Sequence, residues 1–207
     1  MRATNPAMGR KRDPEVDLRI TLAAIEVFGA AGWSGFTIDA VAKTARVSKP
    51  TVYLRWDDKE QLLIDALAGH IVDIGHLDTG TLRGDLIELA RKLFDLYTGP
   101  AQKALLRMAA ESSALPGIAK RWNDFQESQV LAARKIVRRG IRRGELRKDT
   151  PVSFLLDALC GGIMNHALST PPRLWDKVSR SGETYTEQFV DFLVLTAVQR
   201  EPMSRRR

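Results

Sequence analysis

Helical periodicity runs through this chain almost without a break. Between Asp13 and Ala31 the apolar residues Val16, Ile20, Ala23, Ala24, Val27 and Phe28 return every three or four positions, which puts them on one helix face. Asp13 suits the N-cap, Pro14 the first turn, and Gly32 the end. Short helices are expected over 37–44 and 49–54, capped by Thr37 and Ser48. A fourth opens at Asp58, with Gln61 forming a capping box, and reaches about Ile74. Longer helices are expected over 82–97, 101–112, 116–143, 151–168 and 183–198, divided by Gly99-Pro100, Pro116, Gly144, Pro151 and Pro171-Pro172. No segment alternates as a strand would, and no repeat appears. The expected class is all-α with about nine helices, an N-terminal three-helix helix-turn-helix unit and a larger C-terminal helical bundle.

Composition narrows the function classes. With 207 residues, 44% of them hydrophobic, the chain can bury one large core or two small ones and is not a disordered tail. A single cysteine, Cys160, excludes an internal disulfide framework and a cysteine-only zinc cluster. The apolar runs fall short of a membrane span, and the first residues hold no apolar stretch. A soluble, cytoplasmic protein with no membrane partner is therefore expected. Lys and Arg number 32 against 25 acids, a net +7 that favours a polyanionic partner. The excess is clustered. Arg10, Lys11 and Arg12 lie in an N-terminal arm (residues 1–13) that reads either as a loose tail or as a phosphate-tracking arm. Arg134 to Lys148 reads as a solvated helix face, or else as a site for an acidic ligand or a second DNA contact. Arg205 to Arg207 sit in a short basic tail, residues 201–207.

The stretch from Phe28 to Leu63 carries the functional signal. Two short helices flank the tight turn Ala45-Arg46-Val47, the layout of a helix-turn-helix whose second helix enters the major groove of DNA. Lys49 sits at the N-terminus of that second helix, where a cation opposes the helix dipole unless an anion is near. Thr51, Tyr53, Leu54 and Arg55 are the further candidates to reach bases and phosphates, while Val52 and Trp56 should pack inward. The bland alternative is a helical corner with no nucleic-acid role.

Thr37-Ile38-Asp39-Ala40-Val41-Ala42, Val47 through Trp56, and Asp58-Lys59-Glu60-Gln61-Leu62-Leu63 together resemble the TetR-type repressor headpiece. The resemblance covers about residues 14–74. The remainder resembles the family's ligand-binding and dimerisation half more weakly, best at Arg143-Gly144-Glu145-Leu146-Arg147. It implies a homodimer on a palindromic double-stranded operator, released by a small, mainly hydrophobic effector. Position by position, it implies that Thr37 and Lys59 grip phosphates and that Lys49, Pro50, Thr51 and Leu54 face the groove. Ser48 joins this set through the helix end it caps, Tyr53 presses on the sugar-phosphate backbone, and Arg55 contacts the backbone. Two departures stand out: Pro50 replaces a commoner Gly, where its ring suits a thymine methyl, and Leu54 replaces a commoner aromatic or His.

No enzyme is expected. His70, His76 and His166 are scattered, no Gly-rich phosphate loop appears, and no cofactor or metal is implied. Gly161-Gly162 reads as a close helix approach and Cys160 as a structural thiol. The larger half, residues 75–200, is expected to enclose a pocket drawn from Phe94, Tyr97, Leu105, Met108, Trp122, Phe125 and Met164, with His166 or Asn165 as a polar handle. The last two helices are expected to form the dimer seam. Two other readings remain at this point. One is a sequence-tolerant structural DNA-binding protein; the other is a helical small-molecule enzyme or carrier.

Overall fold

The computed structural model describes residues 13–71 and 74–199. Among these there are nine α-helices and no strand. They are α1 Pro14–Gly35, α2 Ile38–Ala45, α3 Lys49–Tyr53, α4 Lys59–Ala68, α5 Leu82–Thr98, α6 Gln102–Glu111, α7 Pro116–Arg143, α8 Val152–Ser169 and α9 Trp175–Gln199. The basic arm (Arg10 to Arg12) and tail (Arg205 to Arg207) lie outside the described residues.

The caps at Asp13, Thr37, Ser48 and Asp58 fall where the sequence puts them, and Thr81 caps α5 as well. Each accepts a backbone N–H from the first turn of the following helix. Three boundaries differ. First, α1 continues to Gly35 across a kink at Gly32, whose φ of 64° no β-carbon would favour. Second, α4 stops at Ala68 rather than near Ile74. The His70 ring takes the Ala66 carbonyl at 2.9 Å, and the backbone tightens into i→i−3 bonds there. Third, α9 begins at Trp175, eight residues before Glu183. Gly182 is no break; the Phe94 ring occupies the space a β-carbon would need.

Two cores form. The first joins α1 to α4 with α6 and the start of α7: Phe28, Phe36, Val41, Val52, Leu62, Leu63, Met108 and Ile118 are all fully buried. Phe28 and Phe36 meet edge to face at 5.9 Å. The second joins α5, the later turns of α7, α8 and α9 around Leu86, Val137, Leu159, Ile163 and Val190. Gly162 admits the Phe189 ring of α9, as a close approach requires, whereas Gly161 faces open space. By length and composition α8 could cross a bilayer, a property the sequence reading assigned to no segment. In this fold its Leu155, Leu156, Leu159 and Ile163 are buried in the second core.

A polar knot ties the 74–81 connector to α7. Asp85, fully buried, accepts from the Thr79 N–H (2.6 Å), the Thr79 hydroxyl (2.8 Å) and Arg139 (2.7 Å). Arg139 also donates to the Leu77 carbonyl, and Glu145 accepts the Leu82 N–H. Burial pushes the Asp85 carboxyl up, but the Thr79 and Arg139 donors outweigh it and hold it below its ordinary value.

Candidate nucleic-acid interface and effector cavity

The helix-turn-helix is set by backbone geometry. Arg46, in the left-handed region at φ 55°, ends α2, and the Val47 N–H returns to the Ala42 carbonyl. Val52 and Trp56 turn inward, and the Trp56 indole donates to Asp65 of α4 at 3.0 Å. That leaves α3 with an outward face of Ser48, Lys49, Pro50, Tyr53 and Leu54, with Thr51 half-buried beside it. Leu54 is 83% exposed and Tyr53 48%. No element of the fold covers this pair, and Leu54 is more exposed than the other exposed apolar side chains of the headpiece, Leu18 and Leu22 of α1.

Charges around α3 are already paired. Lys49 bonds Asp39 of α2 at 2.8 Å, and that hydrogen bond raises the Lys49 pKa above its ordinary value. Asp39 is thus the anion that the dipole argument required in the free protein. Arg55 differs from the expectation. Its side chain, 11% exposed, pairs with Asp17 of α1 and donates to the Thr51 carbonyl at 3.0 Å. It braces the recognition helix against α1 instead of pointing outward.

Thr37 and Lys59 come together. Thr37 caps α2 through the Ala40 N–H, while Lys59 donates to the carbonyl of the adjacent Phe36 at 3.2 Å and lies 3.7 Å over the Trp33 ring. Two helix N-termini therefore flank one end of the motif. The sequence reading missed Lys43 and Arg46, exposed cations on α2 and the turn. Their signal was cationic residues beside a turn; the left-handed Arg46 could not be read from side-chain type.

The basic cluster on α7 divides. Arg139 and Arg143 bend toward Asp78, Asp85 and Glu145, and Arg147 pairs with Asp149. Lys135, Arg138 and Arg142 stay exposed.

The eight residues expected to line a pocket do not converge. Leu105, Met108 and Trp122 belong to the first core, with Phe125 stacked on Trp122 at 5.8 Å. Phe94 belongs to the second core, 6.5 Å from His166, which stacks on Tyr185 at 3.8 Å. Burial lowers the His166 pKa. Met164 is half-buried on α8. Tyr97 is half-buried, and burial first, then the neighbouring Cys160, raises its phenol pKa. A partly open apolar cleft lies elsewhere. A cavity of about 170 Å³ sits between the segment after α4 and helices α5, α7 and α8, bordered by Ile71, Leu89, Lys92, Gln129, Ala133 and Cys160 among others. The largest side chains fill space, so they mark cores; medium-sized residues border the gap. Among the described residues no three His, Cys, Asp or Glu side chains gather as a metal site would require.

Comparison with known proteins agrees with this geometry. Residues 20–66 match the family described as bacterial regulatory proteins, tetR family, and residues 76–181 match the tetracyclin repressor-like, C-terminal domain. The uncharacterized HTH-type transcriptional regulator Rv1556 of Mycobacterium tuberculosis is 30% identical, over 83% of this chain and 84% of its own. The uncharacterized HTH-type transcriptional regulator YdeS of Bacillus subtilis is 26% identical, over 83% of this chain and 88% of its own. The structure of the transcriptional regulator FadR from Bacillus subtilis in complex with stearoyl-CoA superposes with a TM-score of 0.58 at 20% identity, covering 86% of this chain and 97% of that one. At that identity the likeness is one of fold. A helical body carrying an outward recognition helix defines a DNA-binding transcriptional regulator. The chain belongs to the TetR family, whose members bind DNA operators and small-molecule effectors, typically as dimers.

Proposed function

We propose that this protein is a homodimeric repressor that reads a palindromic operator and leaves it when a small, mainly hydrophobic effector enters the α5–α7–α8 cavity. The observation that carries the reading is the outward face of α3: Lys49, Pro50, Tyr53 and an almost fully exposed Leu54 that nothing in the fold uses. Ser48 and Thr51 border that face, and Thr37 and Lys59 supply the flanking phosphate contacts. Residues 14–74 form the DNA-binding unit and residues 75–200 the effector-binding and dimerisation unit. The protein acts in the cytoplasm, beside the chromosome.

Two exposed stripes support dimerisation through α8 and α9. Phe154, Ala158, Gly161, Asn165 and Leu168 align on α8; Thr184, Gln188, Phe192 and Leu195 align on α9. The complex of FadR with stearoyl-CoA supports an effector with an apolar portion within this fold. The cavity begins at Ile71, three residues beyond α4. At its other end, α4 holds Phe36 through Lys59 and sets Glu60 against Gly117 of α7. An effector that fits one placement of α4 better than another changes the spacing of the two recognition helices. Release then follows from its differential affinity for the two states.

Selection of bound fragments from the source genome at physiological salt tests the reading. One enriched palindrome, with half-sites one or more DNA turns apart, is expected. Broad, salt-limited recovery without a motif would replace it with sequence-tolerant DNA binding.

A further inference from the structure

Asp39 is out of place on a surface that docks on a polyanion. It stands in the first turn of α2, and exposed cations surround it in sequence: Lys43 one helical turn further on, Arg46 at the turn, and Lys49 at the start of α3. Its side chain is 71% exposed and bonds the Lys49 ammonium, 47% exposed, at 2.8 Å. Lys49 belongs to the outward face of α3, so the bond holds the carboxylate at the edge of that same face. As a structural link the pair contributes little, because both groups are solvated. The helix dipole favours any acid in this turn, but it does not account for a carboxylate held on an outward ammonium. Against phosphates the carboxylate is repelled unless something on the DNA donates to it.

Base edges in the major groove supply that donor. Cytosine offers its N4 hydrogens and guanine its O6 and N7 acceptors; adenine offers an N6 donor beside the N7 acceptor, and thymine the O4 acceptor. In a C·G pair N4 donates to O6 at about 2.9 Å, the ordinary length of such a bond. A donor and an acceptor therefore lie side by side on one edge. The Asp39 carboxylate and the Lys49 ammonium, 2.8 Å apart, present the opposite roles at the same spacing. The carboxylate accepts the second N4 hydrogen. The ammonium has three hydrogens, so it keeps its bond to Asp39 and still donates to O6 or N7. An A·T pair sets its donor between two acceptors, N7 and O4, so a carboxylate brought to N6 meets lone pairs on both sides. A phosphate satisfies the ammonium alone.

We infer that Asp39 is a specificity-determining residue and that, together with Lys49, it reads one C·G base pair in each operator half-site. This rests on the reading of α3 as the recognition helix. On random DNA phosphates compete for Lys49 and leave the carboxylate facing anions, so the pair also widens the gap between operator and non-operator binding.

Selection from a randomised duplex pool with the full-length protein, then fluorescence anisotropy on the recovered operator, tests the assignment. The wild type should recover a C·G pair at a fixed position of each half-site. Changing that pair to T·A should weaken binding about tenfold, within the range of a two-point base contact. In Asp39→Ala the preference at that position should vanish, the same base change should leave affinity nearly unaltered, and a scrambled duplex should bind more tightly. In Asp39→Asn the preference should move to A·T, because a side-chain amide matches adenine N6 and N7. Both variants should melt close to the wild type. A merely structural acid would leave the base preference where it was. A wild-type operator with no such C·G position, or a C·G preference that survives in Asp39→Ala or Asp39→Asn, overturns this inference and leaves sequence-specific reading intact. Recovery of no motif by the wild type overturns that reading and this inference with it.

Discussion

Lys49 and Arg55 are two cations on one short helix, and their partners separate their roles. Lys49 bonds an exposed aspartate, so phosphate can compete for it; Arg55 is enclosed against α1. Replacing Lys49 or Tyr53 with Ala should weaken operator binding about tenfold or more, the range of single phosphate and base contacts, with the sedimenting species unchanged. Arg55→Ala should instead lower the melting temperature, measurable by calorimetry, because it removes the ion pair to Asp17 and the bond to the Thr51 carbonyl that brace α3 against α1. Residue type alone could not separate the pair, since Asp17 lies 38 positions before Arg55 and only the folded chain brings them together. Asp85 gives a pH signature. Its folded pKa lies below the ordinary 3.8, so its stabilisation is full above that value and is lost as pH falls through the lower folded value. Asp85→Asn should cost about 3 kcal/mol at pH 7, since it removes the buried charge facing Arg139, whose other ion pair, with Asp78, is longer at 3.5 Å. It should also flatten the acid limb of stability against pH in denaturant titrations.

At the scale of elements, caps and breaks were legible in the sequence because they are local. Asp13, Thr37, Ser48 and Asp58 bond within their own first turns. The start of α9 was not legible. Gly182 looks like a terminator, yet it is present because Phe94, far earlier in the chain, packs onto it. The cavity was missed for a related reason: helical spacing marks an apolar face but not which faces leave space between them. The α8 and α9 stripes make a direct prediction. Phe154 is 70% exposed and Phe192 65%. Phe154→Glu with Phe192→Glu should yield a folded monomer in sedimentation velocity. A dimer that persists would place the interface on another face. α6 carries a second prediction. Arg107 donates to the Gly29 carbonyl, and Glu111 accepts the Trp33 N–H at the α1 kink. Glu111→Gln should loosen this brace and alter operator affinity, measured by anisotropy, without a residue that faces DNA having changed.

Across the whole molecule, two cores share α7, whose first turns pack with the headpiece and whose later turns pack with α5 and α8. The cavity lies against the second core, and the α4 connection runs from it to the recognition unit. That arrangement allows ligand occupancy and DNA geometry to bias each other, and linkage makes the effect reciprocal. The account stands on α3 reading sequence through its exposed apolar face. The most direct test is fluorescence anisotropy of Pro50→Ala and Leu54→Ala on the selected palindrome and on a scrambled duplex of equal length and charge. The account predicts a loss of about tenfold on the palindrome for Leu54→Ala, with the scrambled duplex bound as before. Equal affinities on both duplexes, or no change on the palindrome in either variant, would contradict it.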